Sequence, residues 1–199
     1  MFKKLKELSK IDLENKKVFL RVDFSVPMEG RELKEVHQIK AHKDTIDFLI
    51  STGAKVALVS HTEGENDAFK NTVGEIGNVL DYNIVFEEDI LNPQLGSQLT
   101  LFENIRKYEG ESMNDTGFAE DLAKNFDIYV DDAFSVSHRL HASVSAITKF
   151  LPSYAGFLME KETTNLGKVL NEPAQGKTII LGGAKVSTKL PVIRNFLDR

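Results

Sequence analysis

Polar and charged residues fit for chemistry recur directly after short apolar runs. Asp23 and Ser25 follow one such run, His61 a second, Glu103 to Arg106 a third, and Asp131 to Arg139 a fourth. The set concentrates Arg and His in a chain whose formal net charge is −5. The planar fork of an arginine matches phosphate and carboxylate oxygens two at a time, so converging Arg and His side chains point to capture of a multiply charged anion. Gly182-Gly183-Ala184-Lys185 follows a strand-like run and opens a helix-like one. There, backbone N–H groups could meet a phosphate, although the string is not a P-loop. Each residue also has a plainer reading: a lone His after a strand is usually a surface residue, and a surface Arg ion pair is worth little.

The elements that must position these residues alternate between strand-like and helix-like patterns. Lys17–Asp23, Lys55–Ser60, Asn83–Phe86, Leu99–Phe102, Asp127–Val130 and Lys177–Leu181 read as strands. Ile39, Ile46, Leu49 and Ile50 share one helical face, with Gly53 as the stop. Asn71–Leu80, Thr116–Phe126 and Gly156–Leu170 read as further helices. Short apolar strands alternating with helices predict an α/β fold, a doubly wound parallel sheet of Rossmann-like form covered on both faces. Ligands of such open sheets bind beyond the carboxyl ends of the strands, where the polar residues above fall.

A length of 199 residues suits one domain with at most a stub of another, and the 41% apolar and 28% charged shares are those of an ordinary globular protein. Cysteine is absent, which excludes a disulfide framework and thiolate metal sites. The acidic balance argues against nucleic acid or an anionic membrane as a general partner, and no apolar run approaches the roughly 20 residues of a membrane span. The basic start, Met1-Phe2-Lys3-Lys4-Leu5-Lys6, lacks the apolar stretch of a secretory signal. The expectation is a cytoplasmic protein. A boundary is expected near Asn171-Glu172-Pro173, after which come one strand, a glycine turn and a helix start. A lone βα unit cannot bury both its faces, so residues from about Gly176 onward read as the opening of a second, missing domain. The alternative is that the unit packs on the first domain as an extra layer.

Several strings, in order, resemble those of phosphoglycerate kinases. They are Arg21-Val22-Asp23-Phe24-Ser25-Val26-Pro27, Gly53-Ala54-Lys55-Val56 running to Ser60-His61, Glu103-Asn104-Ile105-Arg106, the stretch from Asp132-Ala133-Phe134 to Ala142-Ser143, Ala155-Gly156-Phe157-Leu158, and Leu181-Gly182-Gly183-Ala184-Lys185. The resemblance implies two α/β domains joined by a long helix, the first binding 3-phosphoglycerate or its acyl phosphate through a basic patch and the second binding Mg-ATP or Mg-ADP. Residues 1–155 would be the phosphoglycerate-side domain, 156–172 the linking helix and 173–199 the start of the nucleotide-binding domain. By the same resemblance, Asp23 would receive the glycerate hydroxyl, while His61, Arg106 and Arg139 would belong to the basic patch. Ser25 stands where the family has Asn, keeping a donor but losing the amide's second group. His138 and His141 read as support for Arg139. Lys185 and Lys189 match nucleotide-contacting lysines. The family has a structural polar pair at Asp131-Asp132 and places magnesium on the other domain, so no metal site is expected here. The family is usually monomeric, and a complementing nucleotide domain is the partner it implies.

Two departures bear on activity. Aligning Gln38-Ile39-Lys40-Ala41 with the family's Arg-Ile-Lys-Ala puts neutral Gln38 at the catalytic arginine. Loss of an arginine that stabilises a phosphoryl-transfer transition state costs about 10³–10⁵ in rate. After His61 the family continues Leu-Gly-Arg-Pro, whereas this chain runs directly into Thr62-Glu63-Gly64-Glu65. A patch arginine is lost and two glutamates move toward the phosphate position. The chain by itself is therefore expected to be inactive or very weak, and no nucleotide is expected to bind it tightly. Three readings stay open: a fragment or diverged member of the kinase family, a binding or regulatory pseudoenzyme, and a nonfunctional remnant.

Overall fold

The structure is a computed structural model that describes residues 8–30, 32–64, 67–171, 178, 180 and 190–197. Strand β1 (Lys17–Arg21) leads into a small antiparallel hairpin, β2 (Met28–Glu29) and β3 (Glu32–Leu33). Helices α1 (His37–Lys40) and α2 (Lys43–Ser51), strand β4 (Lys55–Val59) and helix α3 (Phe69–Leu80) follow. Then come β5 (Val85–Glu87), β6 (Leu99–Phe102), α4 (Glu109–Ser112), α5 (Thr116–Ala123), β7 (Ile128–Asp131), β8 (Ser153–Ala155), α6 (Phe157–Asn171) and α7 (Leu190–Leu197). The main sheet has the order β5-β6-β4-β1-β7-β8, and every pairing in it is parallel. This is the α/β, Rossmann-like sheet that the strand and helix pattern predicts.

Strand β1 lies between β4 and β7, with Lys17 opposite Lys55 and Val18 opposite Ile128. The chain first builds outward from β1 through β4, then returns to its other side with β7. Strand order reverses at β1, so the crevice beyond its carboxyl end is where such sheets take ligands. Side chains alternate across the sheet. Val18 and Leu20 join Val56, Leu58, Ile46, Leu49 and Ile76 on one face. Phe19 joins Ala57, Val59, Leu122, Phe126 and Tyr129 on the other. Both faces are buried, which is why the strands read as nearly continuous apolar runs.

The helix expected through Ile39–Ile50 is divided in two. The His42 amide bonds the Ile39 carbonyl three residues back rather than four, which separates α1 from α2. Gly53 ends α2 as expected, at φ +80°, and the Ala54 amide reaches back to the Leu49 carbonyl in a Schellman closure. Asp81, at φ +63°, ends α3 in the same way, with the Tyr82 amide on the Gly77 carbonyl. Helix α5 stops three residues before the expected Phe126, and Asp115 caps its start by accepting from the Phe118 amide at 2.7 Å. Strand β8 has three residues, too few to show an alternation in the sequence. The strand expected at Lys177–Leu181 lies outside the described residues except for Thr178 and Ile180. Contacts divide the chain into two compact units, Met1–Thr163 and Thr164–Arg199. The sheet and all the residues discussed next, except Lys185 and Lys189, belong to the first.

Candidate functional site

The carboxyl ends of β1, β4, β6 and β7 bring Asp23, His61, Arg106 and the Asp131–Arg139 segment to the same edge of the sheet. Asp23 is buried just past β1. Its Oδ1 accepts from the Ser25 amide at 3.1 Å and from the Ser25 hydroxyl, and its Oδ2 accepts from the Ser135 hydroxyl. Burial alone would raise the Asp23 carboxyl. The hydrogen bonds from Ser135 and Ser25 outweigh it and hold the group below its ordinary value, so it is ionised at neutral pH.

His61 lies two residues past β4 and is buried beside cations. Arg21 Nη2 lies 3.4 Å from His61 Nδ1. Burial, then the charges of Arg21, Arg106 and Arg139, opposed by Asp23, push the imidazole down to about 3. The ring is therefore neutral at pH 7. With Nδ1 facing an arginine donor, its proton sits on Nε2, which can donate to a bound anion.

Arg21 is fully buried. Its Nε donates to Ser143 Oγ at 3.0 Å, and its Nη1 donates to the Val22 and Val59 carbonyls at 2.5 and 3.3 Å. Behind Ser143 stands Glu111, also fully buried. Glu111 accepts from the Ser143 amide at 2.8 Å and the Ser143 hydroxyl at 2.6 Å, with His141 Nδ1 3.7 Å away. A buried cation and a buried anion are thus joined through one hydroxyl, and the positive charge of Arg21 stays at the floor of the site.

Arg106 follows β6 on a short 3₁₀ turn that Asn104 starts by accepting from the Arg106 amide at 3.0 Å. Its Nε and Nη2 are buried and have no hydrogen-bond partner among the described residues. Burial, then Arg139 and Arg21, work against its charge, while Glu111 and Asp23 support it. Arg139 itself is exposed. An unpaired buried donor costs about 1–3 kcal/mol, more for a charged group, and an anion placed between Arg106 and Arg139 would remove that cost.

Gln38 is half-buried on α1, four residues before His42. The loop after His61 is closed on itself: Thr62 Oγ1 accepts from Asn104 Nδ2 at 2.7 Å and donates to the Gly64 carbonyl at 3.1 Å, and the Gly64 amide bonds Asp67 at 2.9 Å. Glu63 on that loop is exposed, and Glu65 lies outside the described residues, as do Lys185 and Lys189. His138 is exposed, whereas His141 is part-buried beside Glu111. Asp131 and Asp132 do different things. Asp131 accepts from the Ala133 amide at 3.0 Å, and its carboxyl is raised to about 6, chiefly by burial. Asp132, fully buried, is bound at 2.8 Å to His42 and accepts from amides at the start of α6. Among the described residues, no group of three His, Cys, Asp or Glu side chains could hold a metal ion. No described helix is long and apolar enough to cross a membrane.

The family model for phosphoglycerate kinase matches residues 8–199. The chain belongs to the phosphoglycerate kinase family. It is 40% identical over 201 residues to the phosphoglycerate kinase of Wolbachia sp. subsp. Drosophila simulans (strain wRi), covering 94% of this chain and 50% of that protein. It is 39% identical to that of Coprothermobacter proteolyticus, covering 98% and 54%. In structure it is similar to the phosphoglycerate kinase of Pyrococcus horikoshii OT3, with a TM-score of 0.88 at 31% identity over 96% of this chain and 52% of that one. The Coxiella burnetii phosphoglycerate kinase gives 0.86 at 28% identity. The chain spans about half the length of the curated relatives it matches.

Sequence reasoning missed several residues that shape this candidate site. Arg21 had a usable signal, a charge at the end of an otherwise buried strand. Ser135 and Ser143 lie inside strings that resembled the family, but nothing in their types marks them as donors to Asp23 and Glu111. Glu111 gives no signal at all, because it sits on a four-residue helix that no periodicity reveals.

Proposed function

We propose that this chain is the substrate-side half of a phosphoglycerate kinase, holding 3-phosphoglycerate or its acyl phosphate. The full reaction would be reversible phosphoryl transfer between 1,3-bisphosphoglycerate with ADP and 3-phosphoglycerate with ATP. Mg-nucleotide would come from a nucleotide-binding half whose opening is residues 173–199, with Lys185 and Lys189 among its contacts and residues 156–172 as the link. The observation that carries this reading is the pair of buried Arg106 nitrogens, without a partner among the described residues, beside Arg139, Arg21 and neutral His61. Arg106 and Arg139 would take the phosphate oxygens, and His61 Nε2–H would add a neutral donor. The ligand hydroxyl would displace the Ser135 hydroxyl on Asp23, and Ser25 would keep that carboxylate oriented. Arg21 would act from behind as fixed charge. Positioning and charge neutralisation are most of what phosphoryl transfer asks of a protein.

Turnover by this chain is expected to be absent or very weak. Gln38 is neutral where the family's catalytic arginine aligns, and the nucleotide side is needed in cis or in trans. The same glutamine, with the shortened loop after His61, favours a second reading: a cytoplasmic binding or regulatory module that keeps the fold without the chemistry.

Calorimetric titration with 3-phosphoglycerate at low salt tests the reading. Binding that disappears in Arg139→Ala supports a working substrate patch. Binding that appears only after Gln38→Arg and insertion of Leu-Gly-Arg-Pro behind His61 supports the module without chemistry. Binding unaffected by Arg139→Ala would refute the patch assignment.

A further inference from the structure

The ligand-facing carboxylate Asp23 and the first turn of α6 are distant in sequence, yet they share one buried imidazole. The Asp23 amide lies 3.1 Å from His42 Nε2. On the other side of the ring, His42 Nδ1 lies 2.8 Å from Asp132 Oδ2. The second oxygen of that carboxylate, Oδ1, accepts from the Leu158 amide at 3.0 Å and the Met159 amide at 3.4 Å. Both side chains of the bridge are enclosed, His42 at 1% exposure and Asp132 at 0%. No water or alternative partner can take over either bond without opening the core.

The donor and acceptor roles are forced. A backbone amide can only donate, so Nε2 accepts and carries no proton. The proton of the neutral ring is then on Nδ1 and is donated to Asp132. The carboxylate is held as firmly as the ring. A Cβ on Gly156 would stand 2.1 Å from Asp132 Oδ1, so this position leaves room only for the glycine backbone. The Phe157 amide bonds Thr45 Oγ1 at 2.9 Å, and the Phe48 and Phe157 rings meet at 5.2 Å, which ties the same turn of α6 to α2.

We propose that His42 is a positioning residue: through its single tautomer it ties the backbone of Asp23 to the Asp132 carboxylate and so to the first turn of α6. The tie stands on the bond geometry alone; its use, making the start of α6 sense what occupies Asp23, rests on the substrate-site reading above. Helix α6 is the segment that reading assigns to the link between domains, so occupancy at Asp23 and the setting of that helix would be coupled.

Asp132→Asn is the informative substitution. Asparagine Oδ1 can still accept from Leu158 and Met159, but its NH₂ now faces His42 Nδ1–H, donor against donor. The ring must move its proton to Nε2, where it confronts the Asp23 amide. Asp23 N–H exchange with solvent, read by NMR in the intact chain, should rise by about tenfold while Leu158 and Met159 stay within about twofold, as for loss of one buried hydrogen bond. In a His42→Ala background the same substitution should add nothing at Asp23. An undiminished effect there, or an unchanged Asp23 in Asp132→Asn, would overturn the proposal. Should Asp132→Asn fail to fold, the ¹⁵N shifts of the His42 ring in the unaltered chain decide it: Nδ1 protonated and Nε2 bare is expected, and a proton on Nε2 overturns it. Addition of 3-phosphoglycerate separates the two readings. Shifts at Arg139 and His141 that reach Leu158 and Met159, and stop short of them in His42→Ala, are expected. Shifts confined to the patch overturn the coupling, whereas silence at the patch counts against the substrate-site reading and leaves the free-protein result to judge the tie.

Discussion

Asp131 ends β7 with its carboxyl raised from an ordinary 3.8 to about 6, burial being the main cause, offset in part by the Ala133 amide and Arg21. A group that binds its proton more tightly folded than unfolded stabilises the fold less as it ionises. The penalty is absent below about pH 4, grows as pH rises from about 4 to 6, and is constant above that. Moving a pKa over that range is worth about 3 kcal/mol at most, and partial exposure of the side chain screens some of it, leaving about 1–3 kcal/mol. Asp131→Asn keeps the same shape and an oxygen for the Ala133 amide, which lies 3.0 Å from the present carboxylate, while removing the charge. The variant should be more stable than the parent by about 1–3 kcal/mol at pH 7.5 and level with it near pH 4, read as the midpoint difference in urea unfolding. His61 pulls the other way in the same range: its depressed folded value makes stability fall as pH drops below about 6.5. Taking the difference between variant and parent cancels that contribution. A gain that is the same at both pH values, or a loss at pH 7.5, would refute the reasoning that an ionised buried carboxylate is the cause.

Gly156→Ala should destabilise the protein by about 2–4 kcal/mol, because the new Cβ would fall 2.1 Å from Asp132 Oδ1 and 2.7 Å from its Cβ, and that buried carboxylate is held in place by His42 and the Leu158 and Met159 amides. Denaturant unfolding checks this, and a cost under about 0.5 kcal/mol, the scale of an ordinary surface change, would mean that Asp132 is free to retreat. His61, held neutral by burial and three arginines, should show no imidazole titration between pH 5 and 8 in the free protein by NMR. Sulfate, by offsetting those arginines, should raise its midpoint and bind more tightly as pH falls; a free midpoint near 6.5 would place the ring outside the arginine cluster.

Much of the fold was legible because parallel strands buried on both faces leave unbroken apolar runs, three residues within Lys17–Arg21 and four within Lys55–Val59. The helix boundaries were less legible. Nothing in the spacing of Ile39, Ile46 and Leu49 shows that the helix breaks at His42, since the break depends on a three-residue hydrogen bond and a ring turned toward Asp132. The candidate site divides in the same way. Asp23, His61, Arg106 and Arg139 stood out because each follows a strand or sits in a string that resembles the family. His42 and Glu111 did not, because a residue's partners across the sheet leave no trace in its own neighbourhood.

The class of fold, the edge of the sheet that carries the candidate site, and the family could be read before any coordinates, since these rest on local periodicity, strand-end placement and ordered strings. The state of the site needed the fold: that His61 is neutral, that Arg106 nitrogens lack a partner among the described residues, that Arg21 and Glu111 are buried and joined by Ser143, and that one imidazole spans Asp23 and the start of α6. Charge states and hydrogen-bond partners depend on distance and on exclusion of water, and both are set by residues that meet across 40 to 122 positions of chain.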